Sequence, residues 1–498
     1  MASPHGRGTL RFLLCLLVCG VTLAYGHRPH TVSIHILDDD SLLHVFYLCQ
    51  PSFSIEDDTD EYSIDRWKSD ERWWYTLAHV CQRWRNDILR SATYLGLSLL
   101  CTYGTPVADM LAHSPPLPLV VGYFRNDREL TTDEEGIILA LKQHDRVRRV
   151  RLSNAVTIME KLFVVMDEDY PILETLYITI RNEDNSTILR FPDSLQAPHL
   201  RHLTLRGFAL PIGSRLLTTA VGLVTLHLDM VHPSTYFHPN TLLQWISLMS
   251  HLEMLDIYFN FSIPSRDVER QLTHTPIIAP ITLPNLRNFG FHGVSTYLEA
   301  LVHRITAPRL EVLQTDYFNQ LTFFVPRLLQ FMNTTDNFRF GNAVITFSDE
   351  RVGAGFSPRG ETKVYTLGIT VDCWDLDWQI SSVAQISNSL SQMFSAVEHL
   401  VLQHDVHSKS SEEHNAVDRT EWRKLLRPFN NVKTLRIQNG LVKDLSCCLE
   451  LEDGEPHLEL LPDLQELEYF ATGDTSAAFT SFIDARRNAG YPVTLTRL

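Results

Sequence analysis

What the chain lacks narrows its chemistry first. Its 498 residues hold no P-loop, no dinucleotide glycine fingerprint, no Gly-x-Ser-x-Gly elbow and no His-Glu-x-x-His pair, so the common signatures of nucleotide, serine-hydrolase and zinc-protease chemistry are missing. Basic residues are outnumbered, 43 Lys and Arg against 59 Asp and Glu, for a net charge of −16. Nucleic acids and anionic membranes are bound through clustered Lys and Arg. The one basic run, Arg146–Arg151, reads as a solvated face around a strand, so neither partner is expected. Cysteines stand at 15, 19, 49, 81, 101, 373, 447 and 448 without framework spacing, which reads as free thiols in a reducing compartment. Neither Cys15/Cys19 nor the adjacent Cys447 and Cys448 has zinc-ligand spacing. His399, His404, His407 and His414, with Asp405, come nearest to a metal cluster but read as loop histidines at a strand end. With no nucleophile–base pair either, the chain is expected to be non-catalytic, without metal or cofactor.

Long apolar runs are scarce too. The one that stands out is Phe12–Ala24, preceded by Arg7 and Arg11 and ending in Ala24-Tyr25-Gly26. It has the charge, length and small-residue ending of a secretory signal and is too short to span a bilayer. Residues 1–28 therefore stand either as a signal segment, with residues 1–26 removed, or as the product of a mistaken translation start or retained intron covering about 6–28. The first alternative makes the chain a secreted binding protein and gives meaning to the sequons at Asn185, Asn260 and Asn333.

What is present begins with two helical segments. Leu37-Asp38-Asp39-Asp40-Ser41-Leu42-Leu43-His44-Val45-Phe46 places carboxylates on a first helical turn, where the macrodipole favours them. Further on, Leu77, Val80, Cys81, Trp84 and Ile88 fall at helical spacing and predict one apolar stripe on a second helix. Between them the acidic insert 50–72 buries little by composition and is expected to be a loop. Residues 101–146 read as a connector, with Leu119–Phe124 a strand and Asp133–His144 an amphipathic helix.

Together these segments resemble an F-box: an acidic helix start, the Leu-Leu-x-Val-Phe face, then Val80-Cys81-x-x-Trp84. Arg72–Arg85 and Leu100–Val107 resemble the split form found in basidiomycete-type F-box-like proteins, over about residues 37–125. The chain departs from the pattern in having Asp38 where a proline is usual, and in its insert. The resemblance implies a helical domain over 29–100 that docks a Skp-type adaptor and through it a cullin. The contacts it implies are Leu37, Leu42, Leu43, Val45, Phe46, Leu77, Val80 and Cys81, with Trp84 filling the joint between the helices.

From 147 to 498 a hexamer recurs, apolar-x-x-apolar-x-apolar. It appears at Val147/Val150/Leu152, Leu173/Leu176/Ile178, Leu200/Leu203/Leu205, Leu223/Leu226/Leu228, Leu252/Leu255/Ile257, Leu286/Phe289/Phe291 and Leu310/Leu313/Thr315. After a gap it returns at Val397/Leu400/Leu402, Val432/Leu435/Ile437 and Leu464/Leu467/Tyr469. Helix-like runs such as Asn240–Met249, Tyr297–Ile305 and Thr420–Leu426 separate the units. A short strand and a helix repeating every 23 to 35 residues resembles a leucine-rich-repeat solenoid. The asparagine usual after each strand occurs only as Asn260, so the array is expected to be irregular. Residues 316–396 break its phase, with Phe338–Phe340 and Leu367–Val371 as strands of degenerate units. Strand alternation turns the hexamer positions inward and the residues between them to an open face. Tyr177, His202, Thr204, His227, Asp256, Gln314, His399, Arg436, Glu466 and Glu468 form that face, whose mixed chemistry suits a protein target.

The expected fold is thus α/β: a short all-helical F-box-like domain, then an irregular leucine-rich-repeat-like solenoid. The expected function is the substrate-recognition subunit of a Skp/cullin/F-box ubiquitin ligase, intracellular, binding an unidentified protein substrate.

Overall fold

The computed structural model describes residues 37–51, 62–124, 134–180, 189–210, 213–230, 236–260, 279–318, 320, 322–335, 337–360, 365–405, 419–450, 460–470 and 478–498. The apolar segment 1–28, part of the acidic insert, Asn185, His407, His414 and the loop Ser408–Glu413 lie outside them. The chain forms two compact units, one reaching Ser153 and including Glu168–Leu173, the other made of Asn154–Asp167 and Glu174–Leu498.

The first unit combines helices with three parallel strands, β1 (Leu99–Thr102), β2 (Leu119–Phe124) and β3 (Val147–Asn154). Helix α1 (Asp39–Leu48) starts at Asp38, whose side chain accepts the backbone N–H of Ser41 at 2.7 Å. That bond holds the Asp38 carboxyl below its ordinary range and satisfies one of the orphan donors of a helix start. The next helix, α2 (Tyr62–Glu71), falls inside the insert expected to be a loop. It forms because Trp67 and Glu71, one turn apart, both find tertiary partners. Trp67 packs with Leu100, Val120 and Phe124, and Glu71 takes Arg149 at 2.6 Å. A methyl on Gly122 would lie 2.2 Å from the Trp67 ring, so glycine there makes room for the indole.

The expected single stripe from Leu77 to Ile88 is broken. Helix α3 (Trp73–Ala78) stops at His79, Cys81 is extended at φ −158° and ψ 169°, and α4 (Gln82–Arg90) follows. Arg85 Nε donates to the Ala78 carbonyl at 3.1 Å and covers the end of α3. These helices lie in one compact unit with the strands that follow, up to Ser153. The Trp74 indole N–H donates to the Ser98 carbonyl at 3.1 Å, and the supposed connector supplies β1, β2, α5 (Val107–His113) and α6 (Glu134–Leu141). The basic run is not a solvated face. Arg146 donates to the Leu117 carbonyl at 3.0 Å, Arg149 pairs with Glu71, and the buried Arg151 lies 5.4 Å from the Trp67 ring.

The second unit is a thirteen-stranded, mostly parallel sheet among the described residues, with helices between strands. In chain order its strands are β4 (Thr175–Ile180), β5 (His202–Arg206), β6 (Thr225–Met230), β7 (Met254–Phe259), β8 (Asn288–Gly293), β9 (Val312–Tyr317), β10 (Asn342–Ser348), β11 (Arg351–Ser357), β12 (Leu367–Asp372), β13 (His399–Asp405), β14 (Thr434–Gln438), β15 (Glu466–Phe470) and β16 (Thr494–Arg497). Every hexamer position, in both units, is buried, Thr315 included. The hexamer therefore marks one inward-facing row per strand, and its apolar stem is the driving force for stacking.

The stretch that breaks phase also breaks sheet order, which runs β9-β12-β11-β10-β13. Strands β10 and β12 are parallel to their outer neighbours, while β11 between them is antiparallel to both. Leu367–Val371 is in a strand as expected, but Phe338–Phe340 precedes one instead of forming it, and β11 was not expected at all. Its glycines at 353 and 355 hid it. Two buried aromatics, Phe356 and Phe394, stack at 4.2 Å beneath this insertion. Among the described residues no helix is long and apolar enough to cross a membrane.

Candidate functional site

Two surfaces carry the residues singled out from the sequence. On the helices of the first unit, Leu42, Phe46 and Trp84 are fully buried, and the Phe46 and Trp84 rings meet edge-on at 4.9 Å. Trp84 thus fills the joint, but Leu42 and Phe46 belong to the same interior and cannot be surface contacts. The reason is register: one face of α1 points at α4, pinned there by Arg83, which donates to Asp39 at 2.6 Å and to the Leu37 carbonyl at 2.7 Å. The neighbouring face holds the outward residues. Leu37, Leu43, Val45, Leu77 and Cys81 are half-buried, and Val80 is 41% exposed. Tyr47 and Leu48, which sequence reasoning passed over, are 46% and 49% exposed. Their signal was the continuation of the apolar run directly after Phe46.

In the second unit all ten open-face residues lie half-exposed or exposed beside buried hexamer positions. Sheet register places Tyr177, Thr204, His227 and Asp256 side by side, then Gly290, then Gln314. Arg436 and Glu468 are neighbours in the same row, 3.8 Å apart, but β12, β11, β10 and β13 stand between them and Gln314. His399 and Glu466 share a lower row through Thr434, and His202 meets Thr225 at 3.2 Å. The structure therefore divides the expected face into two groups. His399 and His404 point to opposite sides of β13, His404 inward. No group of metal-ligating side chains occurs among the described residues.

The richest chemistry sits one row further along, at positions just after the hexamers. Asp229, Tyr258, His292 and Asp316 follow one another on β6 to β9, and Asp372 ends β12. His227 Nδ1 lies 3.4 Å from Asp256, and His292 Nε2 3.6 Å from Asp372. Asp229 accepts from Arg206 at 3.0 Å and from the Asn260 amide. Burial pushes its carboxyl above the ordinary range despite the nearby Arg206. Asp316 is raised for the same reason, although the Thr370 hydroxyl donates to it. The Tyr258 hydroxyl is raised by burial and by the surrounding carboxylates. A side chain at Gly290 would collide with the Asp256 carboxylate 2.2 Å away, so the carboxylate lies over bare backbone. This arrangement can hold cations and stack planar groups. Continuing the alternation one step past each hexamer would have found four of the five residues. Asp372 sits on a strand without a hexamer and left no such signal.

No family model matches this chain, and no curated protein matches it.

Proposed function

We propose that this chain is the substrate-recognition subunit of a Skp/cullin/F-box-type ubiquitin ligase, with an F-box-like helical segment and a leucine-rich-repeat-like solenoid. The observation that supports it is the helical face of the first unit. Val80, Tyr47 and Leu48 stand exposed on these helices and Leu43 and Leu77 are half-buried, while Phe46 and Trp84 lock the helices from within. Large exposed apolar residues grouped on a short helical segment suit protein docking. The open sheet face of the second unit would hold the target. The chain's contribution to catalysis would be proximity, keeping target lysines near a charged conjugating enzyme.

The test is recovery of a Skp-type adaptor and cullin by the tagged full chain from a basidiomycete lysate. A Leu43→Asp/Val80→Asp chain runs beside it. Both positions reach solvent, so the variant keeps its fold, whereas a charge at Leu42 would enter the interior. Charges inside a desolvated apolar interface should lower recovery by about tenfold or more. If the native chain retrieves no adaptor, or the folded variant retrieves as much, the ligase assignment falls.

A further inference from the structure

We propose that the open face spanning β6 to β12 binds an extended protein segment carrying lysine or arginine side chains. This rests on the reading that the second unit receives a protein target, and it names the class of target. Asp229, Asp256, Asp316 and Asp372 project from four strands of this face. Asp256 and Asp372 each face a histidine, while Arg206 reaches Asp229 and Arg351 acts on Asp316. Two arginines against four carboxylates leave the face negative, on a chain whose net charge is already −16. Nucleic acids and other anions are repelled by such a field, and cationic segments are drawn to it.

Spacing supports an extended occupant. Asp256 and Asp316 stand two strands apart and two residues along, roughly 12 Å, which about four residues of extended chain span. Aromatic surfaces line the same path: the His227 and Tyr258 rings lie 5.2 Å apart, and those of His292 and Phe318 4.7 Å apart. Just past Asp372, Trp374 is 73% exposed, and Trp378 on the following helix is 44% exposed. Asp375 and Asp377 flank them. Indole faces beside carboxylates attract ammonium and guanidinium groups through both charge and the ring quadrupole. Burial of Asp229 and Asp316 makes their ionisation costly, and an arriving cation offsets that cost.

Fluorescence anisotropy with the full chain decides the matter, using a labelled repeating Gly-Lys-Ser-Arg peptide and a repeating Gly-Glu-Ser-Asp peptide. The basic peptide should bind at least about tenfold more tightly. Asp256→Asn/Asp372→Asn should weaken it about fivefold or more, and Trp374→Ala should weaken it as well. Glu421→Gln/Asp484→Asn removes the same charge from helices elsewhere in the second unit and should leave binding within about twofold. Equal binding of the two peptides, or an equal loss in the control chain, overturns the proposal. Neither result touches adaptor recovery, which reads the first unit. A chain that retrieves adaptor but prefers no peptide loses this inference alone; one that prefers the basic peptide but retrieves no adaptor loses the ligase assignment alone.

Discussion

Strands β1 and β2 differ from β4 and β7 in how many of their faces are covered. Leu99–Thr102 and Leu119–Phe124 are buried at every position, whereas Thr175–Ile180 and Met254–Phe259 alternate between half-exposed and buried. A strand buried on both faces reads as a continuous apolar run; one with a single covered face alternates. In the first unit the second cover is α2, fastened by Trp67 and Glu71. In the second unit the corresponding face carries histidines, tyrosine and carboxylates and is half-exposed. One strand geometry is thus sealed on both faces in one place and open on one face in another.

The strongest way to break this comparison is to remove the cover. Trp67→Ala should cost about 3–5 kcal/mol, as for other buried tryptophans, whereas Tyr177→Ala on the open face should change stability by no more than about 0.5 kcal/mol. Denaturant unfolding of the full chain measures both, and similar losses would erase the distinction. A sharper pair follows from two strand glycines. Gly122→Ala drives a methyl into the Trp67 ring and should cost about 1–3 kcal/mol. At Gly353 a methyl meets nothing within 4 Å, so Gly353→Ala should be neutral or stabilising by up to about 1 kcal/mol.

The smallest effect concerns charge on the open face. Burial raises the Asp316 carboxyl above its ordinary 3.8. Its protonated form is the one the fold favours, so its contribution is full below that value and lost as pH rises through the raised one. Asp316→Asn should therefore gain melting temperature over the native chain as pH climbs from acid to neutral. A difference that does not change with pH would show that Asp316 ionises without penalty.

The inward rows of the sheet were legible because burial is written as period-two apolar spacing. Val397/Leu400/Leu402 and its nine counterparts are all interior. The insert helix α2 was not legible, since Asp, Glu and Ser dominate its surroundings and the groups that hold it, Gly122 and Arg149, lie far along the chain. Strand β11 was hidden by glycines that remove its side-chain pattern. On the helices of the first unit the sequence marked the apolar positions but not which way each one turns. Leu42 and Leu43 look equivalent in the sequence, and only the contact between Phe46 and Trp84 decides which turns inward. On the sheet face, the hexamer motif ended one residue before the row where most of the charge lies.

The inverted strand order within the sheet sets a constraint on synthesis. Strand β9 ends at Tyr317, yet its permanent neighbour is β12, which begins at Leu367. While the ribosome is making the intervening chain, β9 presents an unpaired edge, and β10 emerges with its own partner still to come. An open strand edge on a half-made protein invites pairing with another nascent copy. A pause in translation through residues 318–366 should therefore increase losses to aggregation.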